Sequence, residues 1–227
     1  MISDAIAAFR QVLTPAFRAV LWKVLGLTLA LLAIIGLVVF RMLEGYALPT
    51  NALAAWLVTI LSGFGLLIGS VFLIPPVSMM VAGFFLDDLA ELSERDIYPA
   101  GQTGLALPTG QAVGLAARFT LISVLVNIAA LILLLVPGVN ISVFLFANAY
   151  LFGREYFELA ALRFMPLAQA KALRQAHALQ IYAAGFLIAL FVAVPILNLV
   201  TPLFGAAFMV RRVKRLRGVS VAQIAEA

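Results

Sequence analysis

Four charged residues crowd into ten positions, Arg154, Glu155, Glu158 and Arg163, directly after the apolar run Ile141 to Phe152. On a helix Arg154 and Glu158 are i, i+4 neighbours and can pair. A guanidinium at membrane depth is costly, so it either pairs within a bundle or marks the path of a charged substrate. Arg118 stands at the head of a second apolar arm, 119–136, and can meet this cluster. Arg18 follows Thr14-Pro15, which reads as a helix start with Thr as N-cap. Free N–H groups and the positive dipole end favour an anion there, and Arg adds bidentate donors. An anchor to lipid phosphate uses the same chemistry, and both readings stand for Arg18. Arg18, Arg118 and Arg154 are therefore the candidate anion-binding residues, with Glu155 and Glu158 as ion-pair partners.

Two asparagines complete the set. "VPGVN" ends at Asn140 and "VPILN" at Asn198, each between two apolar arms. Pro ends the incoming helix, and Asn can cap the outgoing one. Outgoing helices that begin inside a bilayer would aim their positive ends at a site near its middle. Thr201-Pro202 is an equally good cap in the second turn. Asn148 reads as interhelical glue.

Other chemistries are excluded. The chain has no cysteine and a single histidine, His177, so thiolate sites, thiol catalysis and histidine clusters are out. No nucleophile–base set is visible. "GFGLLIG" lacks the preceding strand that a nucleotide fingerprint needs. The expectation is a protein that is not an enzyme and holds no cofactor and no metal. Asp87, Asp88, Glu91, Glu94 and Asp96 read as the solvated face of a helix. Arg211, Arg212, Lys214, Arg215 and Arg217 read as a stop signal contacting anionic lipid, not nucleic acid.

The elements that must position these groups are membrane helices. The chain has 227 residues, 65% hydrophobic and 11% charged. Average soluble domains are nearer half apolar and a quarter charged. Only helices or a closed barrel satisfy the backbone in lipid, and the runs are solidly apolar rather than alternating. The fold class expected is an all-α integral membrane protein with two long transmembrane helices, two short hairpins and amphipathic surface helices. One membrane domain fills 1–227: a surface helix at 2–13, span one at 15–43, and span two at 53–97 with an extension into water. Hairpin one follows at 112–165, a surface helix at 166–180, and hairpin two at 181–217. Pro75-Pro76 is expected to kink span two. Apolar arms of 12 to 14 residues look too short to cross about 30 Å of hydrocarbon.

All of the 15 basic residues except Arg41 fall on one side of this layout. The positive-inside rule makes that side, with both termini, cytoplasmic. Nothing at the start has the long apolar core of a signal peptide.

Four stretches carry a resemblance: Pro15-Ala16-Phe17-Arg18, "PPVSMMVAGFFLDDLAE" leading to Tyr98-Pro99, the Glu155-Tyr156 pair, and "VPILNLVTPLFGAAFM". In order and spacing the chain resembles the CysZ-type sulfate permease family. The resemblance implies two spanning helices, two half-inserted hairpins, a homo-oligomer in the bacterial inner membrane, and sulfate passage inward for cysteine synthesis. In that family an anion site lies near a Gly-Leu-Arg-Arg stretch. Here the matching residues are Ala16-Phe17-Arg18-Ala19, so one arginine has a counterpart while the glycine and second arginine do not. The expected partners are sulfate or a related oxyanion and the lipid bilayer. The alternative is a non-transporting membrane scaffold of the same fold.

Overall fold

The computed structural model describes residues 1–44, 51–98, 102–108 and 140–225, with 110, 111, 114, 117, 118, 121, 122, 125, 126 and 128 between them. Among these residues the regular structure is helical throughout, with no strand. The helices are α1 (Ile2–Val12), α2 (Pro15–Glu44), α3 (Ala52–Gly83), α4 (Leu86–Ile97), α5 (Asn140–Leu162), α6 (Leu167–Ala176), α7 (Ala178–Val192), α8 (Pro195–Asn198) and α9 (Thr201–Ala225). Val136 to Val139, the first expected turn, lies outside the described residues. The chain forms two compact units, Ala19–Phe84 and Met1–Arg18 with Phe85–Ala227.

The first unit holds most of α2 and all of α3. Pro15–Met42 is long and apolar enough to cross a membrane. While Val20, Val24 and Leu32 are buried, many of its large apolar side chains, among them Trp22, Leu29 and Leu37, are exposed. That is the surface a bilayer would cover. Asn51 caps α3, accepting from Leu53 N at 3.0 Å. The helix is unbroken through Pro75 and Pro76. It ends at Gly83, and α4 starts at Leu86. The expected watery extension of span two is therefore a separate helix.

Two expected caps differ in their side chains. Thr14 does precede Pro15 at the start of α2, its carbonyl accepting from Arg18 N at 3.0 Å, but its hydroxyl donates back to Gln11 O at 2.7 Å and closes α1. Asn198 ends α8, and its side-chain oxygen is buried with no donor. Thr201 opens α9, with its hydroxyl donating to Leu197 O at 3.1 Å. Asn148 also departs from expectation. Its amide donates to Phe144 O at 2.8 Å, within its own helix.

The second unit is built on α5, α7 and α9. Small residues let the first two cross closely: a Cβ on Gly185 would sit 2.5 Å from Gly153 N and collide with Ala149 O. Close approach of this kind is how helices gain dispersion contact where lipid offers no hydrophobic drive. α9 buries Leu203, Phe204 and every residue through Val210. Phe191 stacks on Phe204 at 4.0 Å between centroids, and Phe204 on Phe208 at 5.4 Å. α5 is longer than its apolar arm. It runs 23 residues, about 34 Å, so Arg154 to Glu158 lie inside one continuous helix. α7 has 15 residues, about 22 Å and short of a crossing. α6 meets α7 at a 90° bend.

The peripheral helix α1 packs on α9 with its polar side inward. Asp4, Ala8, Gln11 and Val12 are buried, while Ile2, Ile6, Phe9 and Leu13 are exposed.

The α5–α7 crossing sets an expected outcome. Gly185→Ala forces the helices apart and costs on the order of 2–3 kcal/mol. Gly26→Ala, which meets no atom within 4 Å, leaves stability unchanged or slightly raised. Thermal unfolding in detergent compares them; equal melting temperatures would refute the crossing.

Candidate functional site

The site is an elbow made by α5, α6 and α7. Arg154 and Glu158 pair along α5 at 3.0 Å, with only 5% and 6% of their side chains exposed. Arg174, from the last turn of α6, reaches Glu158 at 3.7 Å. That is an ion pair but too long for a hydrogen bond, and Arg174 Nε has no acceptor. Beside these groups lies a cavity of about 360 Å³. Arg154, Arg174, Gln175, Tyr150 and Tyr182 line it. The bend at His177 places Arg174 and Gln175 there, because α6 stops where α7 turns away. Two guanidiniums face one carboxylate, so the elbow carries one net positive charge. With an amide beside it, this arrangement can hold an oxyanion.

Arg163 forms a second centre, nine residues beyond Arg154 and about 13 Å further along the chain's rise. It meets Glu94 at 2.6 Å and Asp87 at 3.0 Å, and donates to Gly104 O at 3.3 Å. Glu94 is wholly buried and also accepts from Gly104 N at 2.9 Å. Gly104 is needed: a Cβ there would lie 2.6 Å from that of Arg163. Burial works against the Arg163 charge, but Glu94 and Asp87 outweigh it and hold its pKa above the ordinary value. Of the acidic run, Asp87, Asp88 and Asp96 are exposed as a solvated face requires and Glu91 pairs with Arg95 as its spacing suggests, whereas Glu94 is turned inward.

The basic end of α9 does not serve lipid alone. Arg212 meets Asp4 at 3.3 Å and donates to Gln180 at 2.7 Å. Arg215 meets Asp4 at 2.8 Å. Arg211 meets Asp96 at 2.7 Å and donates to Gln11 at 3.0 Å. Lys214 donates to Ile97 O and lies over the Tyr98 ring. Burial raises the Tyr98 phenol pKa, against the pull of the Arg217 guanidinium. A raised phenol pKa contributes stability that is present below about pH 10 and lost as pH rises through the folded value.

The family described as sulfate transporter CysZ/etoposide-induced protein 2.4 matches residues 4–202. The chain belongs to that family. No curated protein matches it closely enough to count as a relative. The CysZ family match covers α1 through α8 and therefore Arg118, Arg154, Glu158 and Arg174. With α2 long and apolar enough to cross, it makes this a membrane protein.

Against this family background, the three arginines singled out by sequence do not converge. Arg154 sits at the elbow. Arg118 is exposed and lines a different cavity, about 820 Å³, beside Arg163 and Phe164. Arg18 is exposed at the start of α2. Glu158 takes both arginine contacts, while Glu155 has no ion pair or hydrogen bond among the described residues. Asn140 opens α5. Sequence reading missed Arg174 as a site residue. Its signal was Arg174-Gln175 immediately before an apolar arm, at the end of a ten-residue helix.

Removing Glu94 strands a buried guanidinium. Glu94→Ala should cost about 3–5 kcal/mol, whereas Glu94→Leu with Arg163→Met should recover most of the loss. Melting in detergent checks this, and a double variant no better than the single one contradicts the pairing. Asp4→Ala should likewise loosen α1, seen as faster proteolysis within residues 1–14.

Proposed function

We propose that the protein is an oxyanion permease of the bacterial inner membrane, passing sulfate or a close analogue inward for cysteine synthesis. The observation that carries this is the elbow cavity. It pairs two guanidiniums with one carboxylate, and one of those guanidiniums is incompletely satisfied. Sulfate competes with Glu158 for Arg174, because a doubly charged oxyanion at hydrogen-bond distance outweighs a carboxylate at 3.7 Å. Arg154, gripped at 3.0 Å, keeps its partner and supplies the fixed field. Gln175 adds an amide donor that carries no charge, so anion release stays possible.

In this reading α2 and α3 both cross, and α5 with its preceding arm and α7 with α9 are half-inserted hairpins. The tip at α8 then lies within the bilayer, and both termini are cytoplasmic. Arg18 and Arg118, exposed and off the elbow, act as outer contacts that raise the local anion concentration. The outward apolar faces of α2 support assembly into a homo-oligomer. No cofactor enters the scheme.

A second reading has one observation in its favour. Arg154 and Glu158 are almost fully buried and already paired, as a membrane scaffold would require. Sulfate uptake into proteoliposomes separates the two. A permease takes up sulfate, and Arg174→Gln slows uptake about tenfold, the loss of one charged hydrogen-bond donor. Arg18→Ala lowers it less. Absence of uptake by the intact protein leaves the scaffold.

A further inference from the structure

The helix α1 presents three faces, and only two are explained by packing and by lipid. At about 100° per residue, Asp4, Ala8, Gln11 and Val12 share the buried face. Ile2, Ile6, Phe9 and Leu13 share the exposed apolar one. Ser3, Ala7, Arg10 and Thr14 fall on the flank between them. That flank borders an open cleft of about 540 Å³, lined also by Ile6, Gln11, Asp96 and Arg211.

Arg10 is exposed, and its guanidinium has no partner among the described residues. Arg211 gives one amino group to Gln11 and Asp96, while its Nε has no acceptor. Two guanidiniums against the single Asp96 carboxylate leave the cleft one positive charge. The nearby Asp4 is not available to cancel it, since Arg212 and Arg215 already hold it.

We infer that this cleft seats the phosphodiester headgroup of an anionic phospholipid, bound by Arg10 and Arg211 with its acyl chains lying along Ile6 and Leu13. A phosphodiester headgroup brings acyl chains that cover the apolar side chains beside the cleft, whereas a free oxyanion such as sulfate brings none. The position fits as well: a flank between a lipid-covered face and a packed face lies at headgroup depth. The seat is built from α1, α4 and α9, and shares no residue with the elbow.

The experiment uses the full chain in nanodiscs of equal parts phosphatidylglycerol and phosphatidylcholine, with lipids retained on release counted by native mass spectrometry. The wild type should retain phosphatidylglycerol preferentially. Arg10→Gln should lower that preference about tenfold, as for one charge-assisted contact, and Arg10→Lys should keep much of it. Arg10 is exposed, so melting temperature should be unchanged in both variants. Sulfate uptake should also be unchanged, so this seat and the permease reading can fail separately. No preference in the wild type, or a preference indifferent to Arg10→Gln, overturns the assignment. So does stabilisation of lipid-free protein by inorganic phosphate that is lost in Arg10→Gln, because the cleft would then serve free phosphate.

Discussion

An arginine can enter a low-dielectric interior only with a carboxylate beside it, and the second unit is organised around that condition. Arg154, Arg163 and Arg212 are each almost fully buried, and each meets an acid: Glu158, Glu94 and Asp4. An unpaired charge at such depth costs several kcal/mol after relaxation. The partners of Arg163 and Arg212 come from the short peripheral helices α4 and α1. α4 therefore turns Glu94 inward beside its apolar Leu89 and Ala90, and α1 turns Asp4 and Gln11 inward. This explains why α1 leaves Ile2, Ile6, Phe9 and Leu13 outside, the reverse of a helix on a water-soluble protein. Such an arrangement suits an outer face whose solvent is lipid rather than water.

The same condition shapes the elbow. Glu158 is shared between Arg154 on its own helix and Arg174 from α6. One carboxylate cannot satisfy two guanidiniums equally. The intrahelical pair wins because its i, i+4 spacing is fixed by α5, whereas Arg174 arrives from the far side of a 90° bend. The deficit appears as an Nε with no acceptor next to a cavity. Had α6 continued straight into α7, the residues after Ala176 would have extended the helix and no elbow would exist.

Much of this was legible in the sequence, and the reasons are local. Apolar runs of membrane length, Thr14-Pro15 and the i, i+4 spacing of Arg154 and Glu158 each depend on neighbouring residues only. The direction of the amphipathic helices was not legible. The stripe on α1 is plain in the sequence, but whether it faces core or lipid depends on Asp4 meeting Arg212, residues 208 positions apart. For the same reason Glu94 looked solvated: its partner Arg163 is 69 residues away. The Asn198 cap failed for another cause. Thr201 stands nearer the start of α9 and bonds Leu197 O, which leaves Asn198 at the end of a one-turn helix.

What distinguishes a transport site from a structural ion pair is the balance of charge, and the three polar centres differ in it. At Arg163 two acids meet one guanidinium, and Gly104 adds both a donor and an acceptor. Nothing there gains from binding an anion, so the centre is a lock. At the end of α9 the acids Asp4 and Asp96 are divided among Arg211, Arg212 and Arg215. The excess there lies toward the surface and suits a lipid headgroup. At the elbow, among the described residues, the excess falls on Arg174, which shares the buried Glu158 with Arg154 beside a cavity. In a medium of low dielectric an excess of one charge acts over a longer range than the same charge in water. On the permease reading proposed above, the elbow is where a dehydrating oxyanion would gain most, and Glu158 would limit that gain so that an anion could leave as well as enter.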